Sequence, residues 1–246
     1  MFNRLRDDLL HLIAPALCPA CSGRLAATER ALCAACRSSL EPAPFPRDLY
    51  LDLVGLFPAD EIALDAVGAL LSFRRGGPVQ NLVHAIKYHG ASRLGIEMGR
   101  ELGRGLAMFR EFQQIDLVVP IPLHSARRRE RGFNQAESIG RGIAAALDIP
   151  LAAGAVVRRS NTRSQTRLDA EERVGNMTAA FTAFSRAVAG ARVLLCDDVL
   201  TTGATLNACA DALLCAGARS VVGGCLARDI ADSRSREPVS MLQFGW

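Results

Sequence analysis

From Ala66 to Leu226 the chain alternates short apolar strand-like runs with longer helix-like ones. Ala66–Phe73 reads as a strand, Val79–Lys87 and Ala91–Phe109 as helices, and Asp116–Val119 as a short buried strand. Phe133–Leu147 is helical, and Ala155–Arg158 and Ala180–Phe184 are two more strands. Arg192–Cys196 is a buried strand, Ala204–Ala216 a helix and Ser220–Leu226 a last strand. Strands that are apolar on both faces need cover on both, and an alternation of β and α supplies it. The expected fold class is therefore α/β, a parallel sheet flanked by helices. Half of the 246 residues are hydrophobic and 22% are charged, enough for a sizeable core and incompatible with disorder.

Ahead of this pattern, residues 2–14 read as a short amphipathic helix with Leu5, Leu9, Leu12 and Ile13 on one face. Two C-x2-C knuckles follow, Cys18-Pro-Ala-Cys21 and Cys33-Ala-Ala-Cys36. Tetrahedral zinc takes four soft thiolates, and each knuckle offers two from one tight turn. Neither knuckle opens a helix after a strand, which disfavours a redox dithiol. The segment is too small to fold on apolar burial alone, so Zn2+ is expected to hold it together. Glu41-Pro-Ala-Pro-Phe-Pro46 punctuates the chain. The expected division is 1–45 for the helix and ribbon, 46–228 for the α/β unit and 229–246 for a polar tail. Cys196 and Cys225 fall in buried strands. Cys209 and Cys215 sit about 9 Å apart along one helix, too far for a disulfide. All four are read as core thiols.

No stretch reaches the roughly 18 apolar residues of a membrane helix. The first eleven residues carry two acids, and Leu17 is no cleavage-site residue, so a secretory signal is not expected. The expected compartment is a reducing cytoplasm, where cysteines serve metals more than disulfides. Lys+Arg 29 against Asp+Glu 25 gives +4, which excludes neither nucleic acid nor a small anion as partner. Lys87 is the only lysine.

The stretch Val193-Leu-Leu-Cys-Asp197-Asp198-Val-Leu-Thr201-Thr202-Gly203-Ala204-Thr205 carries the most chemistry. A strand runs into two carboxylates, then a hydroxyl-rich turn, then a helix. Gly203 lets backbone approach a phosphate, N–H groups and the helix dipole favour an anion, and Thr201, Thr202 and Thr205 add hydroxyl donors. Asp197 and Asp198 repel phosphate but accept hydrogen bonds from vicinal hydroxyls or hold hydrated Mg2+. Phosphate donors at one end and carboxylates at the other describe a pocket for a ribose 5-phosphate. The plainer alternative is a strand end followed by a helix cap. There is no Walker lysine in the turn and no G-x-G-x-x-G in the chain.

This segment resembles the signature of type I phosphoribosyltransferases, which bind phosphoribosyl pyrophosphate (PRPP) with Mg2+. Ala85-Ile-Lys87-Tyr88-His-Gly90, Val119-Pro120-Ile121-Pro122-Leu123, Arg131-Gly132-Phe133-Asn134-Gln135 and Thr162-Arg163-Ser-Gln165-Thr-Arg167-Leu, with Glu172-Arg173 and Asn176, resemble the ComF family of competence-associated and gluconate-utilisation-associated proteins. The cysteine ribbon fits the same pattern. The resemblance spans about residues 18 to 228. Many relatives carry a second cysteine set, but here nothing follows Cys36 until Cys196, so one zinc site carries over and 41–65 stays unassigned.

The resemblance implies further roles. Val119–Leu123 is the loop facing the pyrophosphate, commonly strained, with Ile121–Pro122 the bond expected cis; the plain alternative is a loop stiffened by two prolines. Lys87 either favours a helix C-terminus or reaches the pyrophosphate. Arg127–Arg131 is a solvated face, a pyrophosphate counter-charge or a grip on a nucleic-acid backbone. Ser160–Leu168 is an exposed loop or a lid, with Arg163, Gln165 and Arg167 as contacts to the substrate. Thr201, Thr202, Gly203, Ala204 and Thr205 anchor the 5-phosphate, and Asp197 and Asp198 are the catalytic candidates. Aromatic residues are only 5% of the chain, too few to predict base stacking from composition.

Two functions remain open. One is a Mg2+-dependent phosphoribosyltransferase whose acceptor the sequence does not specify. The other is a non-catalytic accessory of DNA uptake that binds PRPP or single-stranded DNA and works beside a DNA-uptake helicase. A dinucleotide enzyme is disfavoured by the missing glycine fingerprint. The sequence says nothing of oligomeric state.

Overall fold

A computed structural model describes residues 17–29, 31–88, 92–123, 130, 132–158 and 180–230. The helix expected over 2–14 lies outside them, as do most of the basic run 127–131, the loop at 160–168 and the tail from 231. Four strands form the main sheet: β1 (Ala66–Phe73), β2 (Leu117–Pro120), β5 (Arg192–Leu200) and β6 (Ser220–Asp229). Their order is β1-β6-β5-β2 and every pairing is parallel, as the doubly apolar strands require. The short strands β3 (Val156–Arg158) and β4 (Phe181–Ala183) pair antiparallel in a separate ribbon. β6 ends at Asp229, the first residue of the expected tail.

The helices are α1 (Ala34–Ser39), α2 (Pro46–Val54), α3 (Pro78–Tyr88), α4 (Ser92–Ala107), α5 (Gln135–Leu147), α6 (Ser185–Val188) and α7 (Ala204–Cys215). α3, α4 and α5 cover one face of the sheet, where Leu82, Met98, Leu102, Ile139 and Ile143 pack with Leu194 and Cys196. α2, α7 and the β3–β4 pair cover the other, where Leu49, Leu53, Leu206 and Leu213 pack with Val193 and Leu195. Alternate residues of β5 thus feed opposite cores. On α4 the apolar row Leu94, Met98, Leu102 and Leu106 faces the sheet. Its neighbouring row meets α5 backbone to backbone. A Cβ on Gly99 would stand 2.1 Å from the Ile139 carbonyl oxygen, and one on Gly142 2.1 Å from that of Ile96. Only glycine fits at either point.

The cysteine ribbon is not a separate bead. Leu25, Leu32 and Leu40 belong to the same core as Leu82 and Leu94, Asn81 Nδ2 donates to the Ala20 carbonyl at 2.9 Å, and Arg37 of α1 pairs with Glu101 of α4. The chain leaving the ribbon then runs along the free edge of β1: Ala43 N–H donates to Leu70 O at 3.1 Å and Ser72 N–H to Glu41 O at 2.8 Å. That cover protects an otherwise open edge. The segment 41–65, unassigned by sequence, therefore provides an edge cover, the helix α2 with proline at its first position, and a 3-10 turn at Ala59–Glu61.

Candidate functional site

In a parallel sheet all strands end on the same edge, and ligands bind there. Phe73, Pro120, Leu200 and Asp229 mark that edge. β5 reaches it in a form the sequence reading missed. The strand does not stop at Cys196 but carries both acids and ends at Leu200. Each carboxylate takes the next backbone N–H: Asp198 N–H donates to Asp197 Oδ1 at 2.8 Å, and Val199 N–H to Asp198 Oδ1 at 2.8 Å.

Beyond the strand, Thr201 and Thr202 are exposed and Gly203 is the N-cap of α7 at φ +80°, ψ −5°. Glycine is demanded twice here. The left-handed backbone disfavours any L side chain, and a Cβ would fall 2.2 Å from Leu53 Cδ1 of α2. No side chain caps the first turn of α7. The nearest approach is a long 3.4 Å contact in which Ala204 N–H donates to Thr202 Oγ1. The turn has the backbone donors and helix polarity of an anion cradle. It is braced from three sides. Leu53 lies beneath it; Arg228 of β6 donates to the Thr201 carbonyl and stands 3.9 Å from Asp52; Asn207 accepts from Ala63 N–H at 2.9 Å and donates to Glu61 O at 2.7 Å.

Sequence reasoning left Lys87 between a helix C-terminus and the pyrophosphate and did not connect it with the acids. The structure brings them together: Lys87 Nζ lies 2.7 Å from Asp198 Oδ2. Gln135 Nε2, at the first turn of α5, donates to the same oxygen at 3.2 Å. Asp198 is 7% exposed, so its carboxylate is enclosed and already partnered at both oxygens. Asp197 is half-buried; burial and the adjacent Asp198 charge push its carboxyl up to about 8, so it is mostly neutral at pH 7. Mg2+ needs open carboxylate oxygens, and both oxygens of Asp198 are taken.

Lys87 in turn lines an open cleft of ≈ 630 Å³ with Arg75, His84, Val199, Thr201 and Asp229. Thr201 makes the cleft continuous with the turn. On the other side of β5, Asn134 caps α5 by accepting from Ala136 N–H and donates Nδ2 to the Ile121 carbonyl at 2.9 Å. This fixes the loop after β2. The Ile121–Pro122 bond is trans, as no cis bond occurs among the described residues. The expected cis bond is thus corrected, and the stiff Pro-x-Pro loop is what stands. Arg163, Gln165 and Arg167 lie outside the described residues.

The ribbon fulfils its spacing. A tetrahedral ion about 2.3 Å from each sulfur sets sulfurs about 3.8 Å apart. The Sγ atoms of Cys18, Cys21, Cys33 and Cys36 all lie within 4.8 Å of one another, with Cys21 and Cys33 at 3.7 Å. Gly23 N–H points at Cys21 Sγ and Cys36 N–H at Cys33 Sγ, both at 3.4 Å, the inward amides of two knuckles. Burial pushes the Cys18 thiol up, but hydrogen bonding from the backbone of Cys33, Ala20 and Cys21 outweighs it and brings it to about 7, whereas the Cys33 and Cys36 thiols are shifted up. The four residues fit one structural zinc ion. Of the remaining cysteines, Cys196, Cys209 and Cys225 are buried and burial raises their thiols. Cys215 is exposed at the last residue of α7, which corrects its reading as a core thiol: the helix end turns it off the packed face.

Known proteins resemble this chain over parts of its length. Residues 134–243 match the phosphoribosyl transferase domain model. Competence protein F of Haemophilus influenzae is 28% identical over 204 residues, 77% of this chain and 87% of that protein. DNA utilization protein YhgH of Salmonella typhimurium is 33% identical over 156 residues, 62% and 68% of the two chains. Competence protein ComFC of Bacillus subtilis is 35% identical over 98 residues, 40% and 38%. Among solved structures, the allosteric regulatory enzyme of purine biosynthesis overlaps with a TM-score of 0.38 at 23% identity, over 53% of this chain and 25% of that one. No helix among the described residues is long and apolar enough to cross a membrane.

Proposed function

This chain belongs to the ComF family of competence and DNA-utilisation proteins with a phosphoribosyl transferase domain, and on that premise we propose that it binds PRPP at the carboxyl edge of its sheet, in the service of DNA use in the cytoplasm. The observation that carries the reading is the turn 201–203, with a left-handed Gly203 feeding an uncapped helix start at the end of an acid-bearing strand. In this reading residues 46–228 hold the ligand and residues 1–45 form the zinc module, with 229–246 a tail. The 5-phosphate rests on Thr201, Thr202, Gly203, Ala204 and Thr205. The neutral Asp197 carboxyl, both donor and acceptor, meets a ribose hydroxyl. Lys87, with Arg163, Gln165 and Arg167 from the loop, faces the pyrophosphate.

Turnover would break the bond from C1 to the pyrophosphate oxygen, which leaves with the electron pair, while an acceptor attacks C1 and sheds its proton. The chain needs no nucleophile for this, only charge placement around a cationic sugar. Mg2+, arriving on the pyrophosphate, would supply further counter-charge. The closure of Asp198 on Lys87 favours a second reading, a PRPP-binding accessory that performs no transfer and acts with single-stranded DNA or a DNA-uptake helicase.

Calorimetry with PRPP, with and without Mg2+, followed by pyrophosphate release over candidate acceptors, tests both. Saturable binding is the expected result. Binding without release supports the accessory reading, and absence of binding overturns the proposal.

A further inference from the structure

We infer that Asp198 is a positioning residue: its carboxylate holds the ammonium of Lys87 at the cleft wall, and the ammonium is what a phosphate-bearing ligand meets. The inference rests on the PRPP reading for the ligand's identity, but its geometry stands on its own. Asp198 sits behind Lys87. Its Oδ1 is taken by Val199 N–H and its Oδ2 by Gln135 and Lys87, and the cleft is lined by Lys87 and not by Asp198. Lys87 precedes Asp198 by more than a hundred positions and shares no local motif with it; it arrives from the last turn of α3, where a cation also suits the helix dipole. An ammonium has three donors and no acceptor. Asp198 takes one, and a side chain still 23% exposed keeps the rest within reach of the cleft. Arg75 lines the same cleft and adds a second positive group against the single carboxylate of Asp229; two cations to one acid in the lining suit a phosphate or pyrophosphate oxyanion. The enclosed acid thereby fixes a flexible four-carbon stem that would otherwise lose entropy on each binding event.

The chain's single lysine makes the test direct. Nitrogen-15 lysine labelling gives one side-chain ammonium signal, and inorganic pyrophosphate is the probe. In the unmodified protein the signal is expected to be slow in proton exchange and to move with added pyrophosphate. Asp198→Asn should collapse it to that of a free lysine and weaken pyrophosphate about tenfold. Lys87→Met should weaken it equally, and the double variant no further, because the two residues act as a unit. Lys87→Arg should retain most of the affinity. An unchanged ammonium signal in Asp198→Asn, or a gain of Mg2+-dependent binding in Lys87→Met through the freed carboxylate, overturns the inference. If PRPP fails to bind but pyrophosphate still moves the Lys87 signal, the functional reading falls and the inference survives. If PRPP binds the parent and Lys87→Met alike, the reverse holds.

Discussion

The cysteine knuckles and the turn at 201–203 are both short devices that gather donors at one point, yet they are built in opposite ways. Each knuckle closes on itself: Gly23 and Cys36 point their amides at sulfurs two and three residues away. Locally the turn at 201–203 has the long contact from Ala204 N–H to Thr202 Oγ1. Its shape is imposed by Leu53 from beneath, Arg228 from the adjoining strand and Asn207 from its own helix through residues 61–63. A self-contained device needs its ion to be stable, whereas an externally braced one is already formed when the ligand arrives. That difference is preorganisation, and it separates a structural site from a binding site.

Taking away the ion is the hardest blow to this contrast. Structural zinc contributes about 10 kcal/mol or more to small modules, so chelation should strip amide protection from residues 17–40 in hydrogen exchange. The turn and β5 should keep theirs. Because Leu25, Leu32 and Leu40 share a core with α3 and α4, some loosening of α3 is expected; loss of protection throughout β5 would mean that the two devices are one cooperative unit. A smaller effect is expected from Gly203→Ala. The left-handed conformation costs an L residue about 1–2 kcal/mol, and Leu53 must shift in addition. Urea unfolding should show a loss of that order, together with a drop in PRPP affinity of more than tenfold and unchanged zinc content. Equal affinity would show that the turn's shape does not matter to the ligand.

The least effect sharpens the comparison through pH. Asp197 titrates near 8 in the folded chain, through burial and the neighbouring Asp198, but in the ordinary aspartate range when unfolded. Its contribution to stability is therefore complete below the unfolded value and declines as pH rises, until it is gone above about 8. Asp197→Asn should flatten that decline, so that the variant gains thermal midpoint relative to the parent between pH 5 and 9. A parallel offset at all pH values would place the raised pKa elsewhere.

What was legible in the sequence follows the same division. The knuckles could be read from spacing because their geometry is local. The parallel sheet could be read because its strands are apolar on both faces, and β1 at Ala66–Phe73 matched residue for residue. The turn was visible as composition, since Thr-Thr-Gly-Ala-Thr after two acids has few other uses. Its braces were not, because Leu53, Asn207 and Arg228 carry no pattern of their own until the fold brings them in. The pairing of Lys87 with Asp198 joins residues over a hundred positions apart and was likewise invisible. Gln135 left a faint sign, as the residue after an N-cap asparagine where an apolar side chain would be the simpler choice for a buried position. The end of β5 was misjudged because charged residues ordinarily close a strand, whereas here each carboxylate satisfies the next amide and lets the strand continue.

The contact between Gly203 and Leu53 ties the turn at 201–203 to the stretch of chain that leaves the ribbon. Residues 41–65 are thus no passive tether whose length is free to drift. Grafting another member's linker, trimming it, or replacing α2 with a flexible spacer would remodel the floor of the cradle more than 140 residues downstream, so an engineered chimera must exchange the two segments as a matched pair.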